Sequence, residues 1–96
     1  MPQFIIMAQD YKDREALSRR LAARPAHLER MKEEKAKGVF IIGGAKLNEA
    51  GNMVGSMLIV DLPNIEAVKE WVTIDPYLTS NVWETVEITP FRIADV

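Results

Sequence analysis

The stretch Arg24-Pro25-Ala26-His27-Leu28 carries the one histidine among 96 residues. An imidazole titrates near neutrality, so His27 can give and take protons at cellular pH. A second stretch, Asp75-Pro76-Tyr77, supplies a carboxylate that would complete a proton-transfer pair. An aspartate accepting from one ring nitrogen fixes the imidazole tautomer and leaves the other nitrogen for chemistry. Each residue also has a plainer reading. His27 sits one step round a helical wheel from Met31, at the border of a buried face, where a histidine can simply pack. Asp before Pro is what a helix start looks like.

Four further side chains could serve such a pair. Arg20 and Arg24 lie four residues apart, so they share a helix face if the chain stays helical. Two guanidinium groups there could hold a carboxylate or an enolate oxygen. Ordinary charge pairing with Asp13 or Glu29 is the alternative. Ser56 is a small polar residue on an otherwise apolar strand face, placed either to line a pocket or to fill a core. Tyr77 could close a cleft over Asp75, or it is a half-buried aromatic.

Other chemistries find no residues. There is no cysteine, so thiol catalysis, disulfides and Cys-ligated metals are excluded. One histidine with scattered carboxylates is no metal set. Gly43-Gly44 lacks the flanking glycines and the lysine of a phosphate-binding loop. Ser56 has no nucleophile-elbow context. What remains is acid–base chemistry without a cofactor or metal.

The elements that must position these residues follow from patterning. Phe4 to Ala8 alternates Phe4, Ile6 and Ala8 against Ile5 and Met7, a strand apolar on both faces. Asp13 can cap a helix running from Arg14 to Ala23. Pro25 lacks an N–H and disfavours helix at Arg24, which predicts a break there, with Pro25 opening a second helix. That helix places Leu28, Met31 and Lys35 on one face and stops at Gly38. Its run of lysines and glutamates reads as a solvated face. Val39 to Ile42 is a second strand, ended or bulged by Gly43-Gly44-Ala45. Leu47 to Asn52 is a hairpin connection into a third strand, Val54 to Asp61. There Val54, Ser56, Leu58 and Val60 oppose Met57 and Ile59. Asn64 caps a short helix that buries Ile65, Val68 and Val72. Asp75-Pro76 opens another helical turn, and Asn81 falls in a turn. Val82 to Ile88 is a fourth strand, with Val82, Val86 and Ile88 alternating against Trp83, Thr85 and Glu87. Pro90 and Phe91 follow its end.

The order is β-α-β-β-α-β, the α+β ferredoxin-like plan of a four-stranded antiparallel sheet with helices on one face. The length fits a single domain over residues 1–96. The first three strands are apolar on both faces, so an uncovered sheet would expose a large apolar patch. A second copy of the chain is the simplest cover, which predicts a homodimer. Composition is ordinary, 48% hydrophobic and 27% charged, with net charge -2. That balance argues against nucleic acid and anionic membranes as partners. No signal peptide and no bilayer-length apolar run are visible, which makes the cytoplasm the expected compartment.

The ordered set Arg24-Pro25-Ala26-His27-Leu28, Asp75-Pro76-Tyr77 and Val86-Glu87-Ile88-Thr89-Pro90-Phe91-Arg92 closely resembles the YCII-related (YciI-like) family. The opening Phe4 to Asp10 run, Gly43-Gly44 and Gly55-Ser56 also fit, so the resemblance spans essentially the whole chain. It implies a ferredoxin-like fold that pairs into a dimeric α/β barrel, and an active site built on His27 and Asp75. Two departures stand out. Family members often have Gly-Pro where this chain has Gly43-Gly44-Ala45, and many have a glycine before the last strand, where this chain reads Leu78-Thr79-Ser80-Asn81-Val82. Either segment could border a cleft and change its shape.

The expected function is cofactor-independent isomerase- or lyase-type chemistry on a small, anionic or ring-containing molecule. His27 would be the general acid and base, Asp75 its orienter, Arg20 or Arg24 the anion contact, with Ser56 and Tyr77 lining the pocket. The alternative is a dimeric module that binds a small ligand or another protein without turnover.

Overall fold

In a computed structural model, which describes residues 2–96, the alternating apolar runs of the sequence lie in strands. β1 (Gln3–Asp10), β2 (Phe40–Leu47), β3 (Met53–Asp61) and β4 (Trp83–Phe91) make one antiparallel sheet in the order β2-β3-β1-β4. The helices are α1 (Ala16–Ala36), α2 (Ile65–Thr73) and the single turn α3 (Pro76–Thr79). This is the ferredoxin-like arrangement, with β1 in the interior of the sheet.

The alternation in β1 sets the two faces. Phe4, Ile6 and Ala8 are buried under the helices, where they oppose Val60, Leu58 and Ser56 of β3. Val68, Trp71 and Val72 of α2 complete the apolar core from above. Ile5 and Met7 point the other way, opposite Ile59 and Met57. Asn64 caps α2 by accepting from the Ala67 N–H at 2.9 Å. Asn81 turns the chain into β4 with φ at 56°, a left-handed backbone that asparagine tolerates.

Several expectations are corrected. Helix α1 does not break at Arg24; it runs through Pro25 as one element of 21 residues. The proline deprives the Leu21 carbonyl of its donor, but Leu21 and Pro25 lie on the exposed side, where water replaces the lost bond. The buried stripe of α1 is Ala16, Arg20, Ala23, His27, Met31 and Glu34. Leu28 and Lys35 are exposed, and His27 sits in the middle of the stripe rather than at its edge.

Strand β2 does not stop at Gly43-Gly44-Ala45 but passes through them to Leu47. At Gly43 the strand runs close against β3. A Cβ there would lie 2.5 Å from the Met57 carbonyl oxygen and 3.0 Å from the Phe40 ring. Only glycine fits that approach.

Strand β4 continues to Phe91, and its Trp83 lies on the opposite face from the one alternation predicts. The register slips between Gln9 and Asp10. Gln9 opposes Thr85 and Asp10 opposes Trp83, which leaves Glu84 without a partner. This extra residue is a β-bulge, and it rotates Trp83 to the helix side. Pro90 is accommodated because β4 is an edge strand.

Candidate active site

One end of the sheet carries the polar interior. Asp10 closes β1, Ser56 sits on β3, Trp83 begins β4, and α3 begins just after Asp75. Helix α1 crosses above them and inserts Arg20 and His27.

The His27 Nδ1 and Asp75 Oδ1 atoms are 2.9 Å apart. Asp75 is fully buried and receives donors at both oxygens. Oδ1 also accepts the Tyr77 backbone N–H at 2.9 Å, the bond that caps α3. Oδ2 accepts from Arg30 Nη1 at 2.9 Å. A carboxylate surrounded in this way is an acceptor toward the imidazole, so His27 Nδ1 carries the hydrogen. Its Nε2 then holds the lone pair. Among the described residues Nε2 has no hydrogen-bond partner, yet it is not among the fully enclosed polar atoms. It therefore reaches the cavity of about 270 Å³ that His27 lines.

Tyr77 lies flat on the imidazole, with ring centroids 4.0 Å apart and 15° between planes. The Arg20 guanidinium covers the Tyr77 ring at 4.5 Å. Trp83 meets both rings edge-on. Burial pushes the Tyr77 phenol up from its ordinary value, against the pull of Arg20 and Arg24.

Arg20 is almost completely buried, and its charge is already engaged. Nη1 donates to both oxygens of Asp10, at 2.8 and 2.9 Å, and Nη2 donates to Ser56 Oγ at 2.8 Å. Burial pushes the Asp10 carboxyl up more than Arg20 pulls it down. Asp13, proposed as a partner for these arginines, is held instead by Arg19 through two bonds of 2.7 and 2.8 Å. That contact holds the Asp13 carboxyl near 2. Arg24 is exposed and lines the cavity rim. The arginine pair is therefore split into a buried structural cation and a free one at the mouth.

The cavity is lined by Arg20, Arg24, His27, Ser56 and Tyr77, together with Gly43, Gly44 and Ala45. The first of the two departing segments thus borders the cleft. The second, Leu78 to Val82, is not part of its lining; there the Asn81 carbonyl accepts from Arg19 Nε instead.

Three contributors were not singled out from the sequence. Arg30 lies three residues past His27 on the same helix, so the spacing puts both on one side of α1, and there they meet Asp75. It also donates to the Trp71 carbonyl at 2.6 Å and stacks on the Trp71 ring at 4.3 Å. Asp10 lies two residues past the apolar alternation of Phe4 to Ala8, where no pattern marks it as part of a site. Trp83 reaches the site only through the bulge, which no local pattern signals. Among the described residues no three His, Cys, Asp or Glu side chains gather as metal ligands do. No helix there is long and apolar enough to cross a membrane.

The four-stranded antiparallel sheet with its helices places the protein in the ferredoxin-like class. The chain belongs to the YCII-related family: the family model for the YCII-related domain matches residues 3–92. Protein YciI of Escherichia coli O6:H1 is 34% identical over 95 residues, covering 93% of this chain and 95% of that protein. Among solved structures, 5-chloro-2-hydroxyhydroquinone dehydrochlorinase from Burkholderia phenoliruptrix, in complex with 2,5-dihydroxybenzoquinone, superposes with a TM-score of 0.81. It is 23% identical, with 96% of this chain and 95% of that chain covered. A dimeric ferredoxin-like protein of unknown function from a Jannaschia species has a TM-score of 0.54 at 8% identity, with 97% of this chain and all of that chain covered.

Proposed function

We propose that the cavity beside His27 is an active site for cofactor-independent isomerase- or lyase-type chemistry on a small ring-containing molecule. The observation that carries this reading is the division of labour on one imidazole. Nδ1 is fixed by a buried carboxylate, while Nε2 stays open to the cavity. In this reading Nε2 is the general base, taking a proton from carbon or hydroxyl, and returns it as general acid. Asp75 orients the ring and stabilises the imidazolium that forms. Arg24 is the anion contact, because the Arg20 guanidinium is already paired with Asp10. Tyr77 holds the imidazole in plane. A cavity of about 270 Å³ suits a single ring rather than an extended substrate. The dehydrochlorinase of the same fold, with its dihydroxybenzoquinone ligand, supports a small oxygenated ring as the substrate class.

The proposal extends to assembly. A homodimer closes the helix-free sheet face into an α/β barrel. Ile5, Met7 and Met57 are half-buried there and Ile42 is 56% exposed. Burying such side chains at about 1.5–3 kcal/mol each favours association. A monomeric mass by light scattering at micromolar concentration refutes this part.

The test of activity is a turnover screen over hydroxylated and halogenated quinols, with His27→Asn as the control. Turnover that disappears while ligand binding persists is the expected result. Ligands that bind with no reaction in either protein favour a non-catalytic binding module instead.

A further inference from the structure

The Ser56 hydroxyl has one oxygen with two lone pairs and one proton. Its oxygen stands 2.8 Å from Arg20 Nη2 and 3.1 Å from Trp83 Nε1. A guanidinium and an indole N–H can only donate. Both lone pairs are therefore occupied, and the hydroxyl proton must be given to something else. Among the described residues no acceptor takes it: Ser56 Oγ donates no hydrogen bond. Ser56 nevertheless lines the cavity beside His27.

From this we infer that Ser56 is a one-way hydrogen-bond donor into the cavity, and that the ligand carries an acceptor oxygen there, a carbonyl, enolate or phenolate. The direction is fixed by the two donors behind it. Arg20 is cationic, and a hydroxyl that accepts from a cation is a better donor on its other side. The Arg20–Asp10 pair serves this purpose by holding the guanidinium in place. Any ligand group that offers a hydrogen instead of a lone pair meets a hydroxyl with no free lone pair. Together with the open His27 Nε2, the cavity then presents one donor for an oxygen and one base for a proton. That is the pair of contacts that enolisation requires, with negative charge growing on the oxygen as the proton leaves.

The inference rests on the reading of this cavity as the ligand site, but not on turnover. Acetophenone and α-methylstyrene are suitable probes, since they differ by C=O against C=CH₂ in nearly the same shape. In titrations followed by ¹H–¹⁵N NMR, acetophenone is expected to bind about tenfold more tightly to the unaltered protein. It should also move the Trp83 Nε1–H signal downfield, while α-methylstyrene does not. Ser56→Ala should bring the two affinities to parity. Trp83→Phe, which identifies the indole signal and returns one lone pair to Ser56, should reduce the preference even if Ser56→Ala fails to fold. His27→Asn should keep the preference, so a failed enzyme reading is told apart from a failed donor. Equal affinities in the unaltered protein overturn the inference, as does no acetophenone binding at its solubility limit. So does a preference that survives Ser56→Ala or is undiminished in Trp83→Phe.

Discussion

The ring of Tyr77 lies parallel to the imidazole of His27 at a centroid distance of 4.0 Å, one residue from the start of α3 and the other from the middle of α1. The contact makes the phenol a gauge of how well the site is closed. Burial raises the folded Tyr77 value above the ordinary 10.0. A raised folded value means the stability is fully present below pH 10 and is lost as pH rises through the higher folded value. Tyr77→Phe keeps the ring and removes the titration. Urea melts between about pH 9 and 12 should show the unaltered protein losing stability that the variant keeps. Parallel curves would mean that the phenol is open to water.

Asp75 is the acceptor for three donors, so its loss should be costly. Asp75→Ala removes the cap of α3 and leaves the part-buried Arg30 guanidinium and the His27 ring without their carboxylate. We expect a loss of about 3–5 kcal/mol in denaturant unfolding. Arg30→Met leaves Asp75 Oδ2 buried without a donor and should cost about 2–4 kcal/mol. Arg30→Lys restores the charge but not the two-pronged reach to Asp75 and Trp71, so it should fall between. Near-unaltered stability in Arg30→Met would show that water replaces the guanidinium.

The Asp10–Arg20 pair predicts strong coupling. Either single change to alanine strands a buried partner, at about 3–5 kcal/mol. The joint replacement Asp10→Leu with Arg20→Met should cost clearly less than the sum, by about 1–3 kcal/mol. Asp10→Asn should be milder than Asp10→Ala, because burial already disfavours the charged carboxyl. Additive losses would remove the pair as a unit.

Pro25 offers the opposite sign. Pro25→Ala returns an N–H to the Leu21 carbonyl inside α1. The helix gains up to about 3 kcal/mol, less about 0.4–1 kcal/mol for the looser unfolded chain. A thermal midpoint several degrees higher is the expected result, since about 1 kcal/mol shifts a domain of this size by roughly 4–8 °C. A lower midpoint would mean that the proline ring packs against something its exposure does not reveal.

The strands and the order of elements were legible because β1 and β3 alternate cleanly around an apolar core. Asn64 and Asp75 were legible as caps because capping depends on a few neighbouring residues. The inner face of α1 was not. Three of its six buried positions are Arg20, His27 and Glu34, each joined to a partner from elsewhere in the chain. A pattern that sorts polar residues outward turns such a helix the wrong way, toward Leu28. Pro25 misled for a related reason: local preference argues for a break, while the contacts on both sides of it keep the helix whole. The bulge opposite Asp10 was invisible because one extra residue in a ladder is a property of two strands together. The same slip conceals Trp83, and with it the donor behind Ser56.

The interior position of β1 has a consequence for how the chain is made. Both its neighbours, β3 and β4, lie later in the sequence, and β4 ends at Phe91. On the ribosome β1 emerges before both of its sheet partners and cannot pair on either side until β3 and β4 have followed. Its alternating apolar side chains, Phe4 to Ala8, stay unsheltered through that interval. The protein therefore cannot fold by accretion from its first strand. It must wait and close late, when β4 slides in along the free edge of β1 and carries Trp83 into the same corner as Ser56.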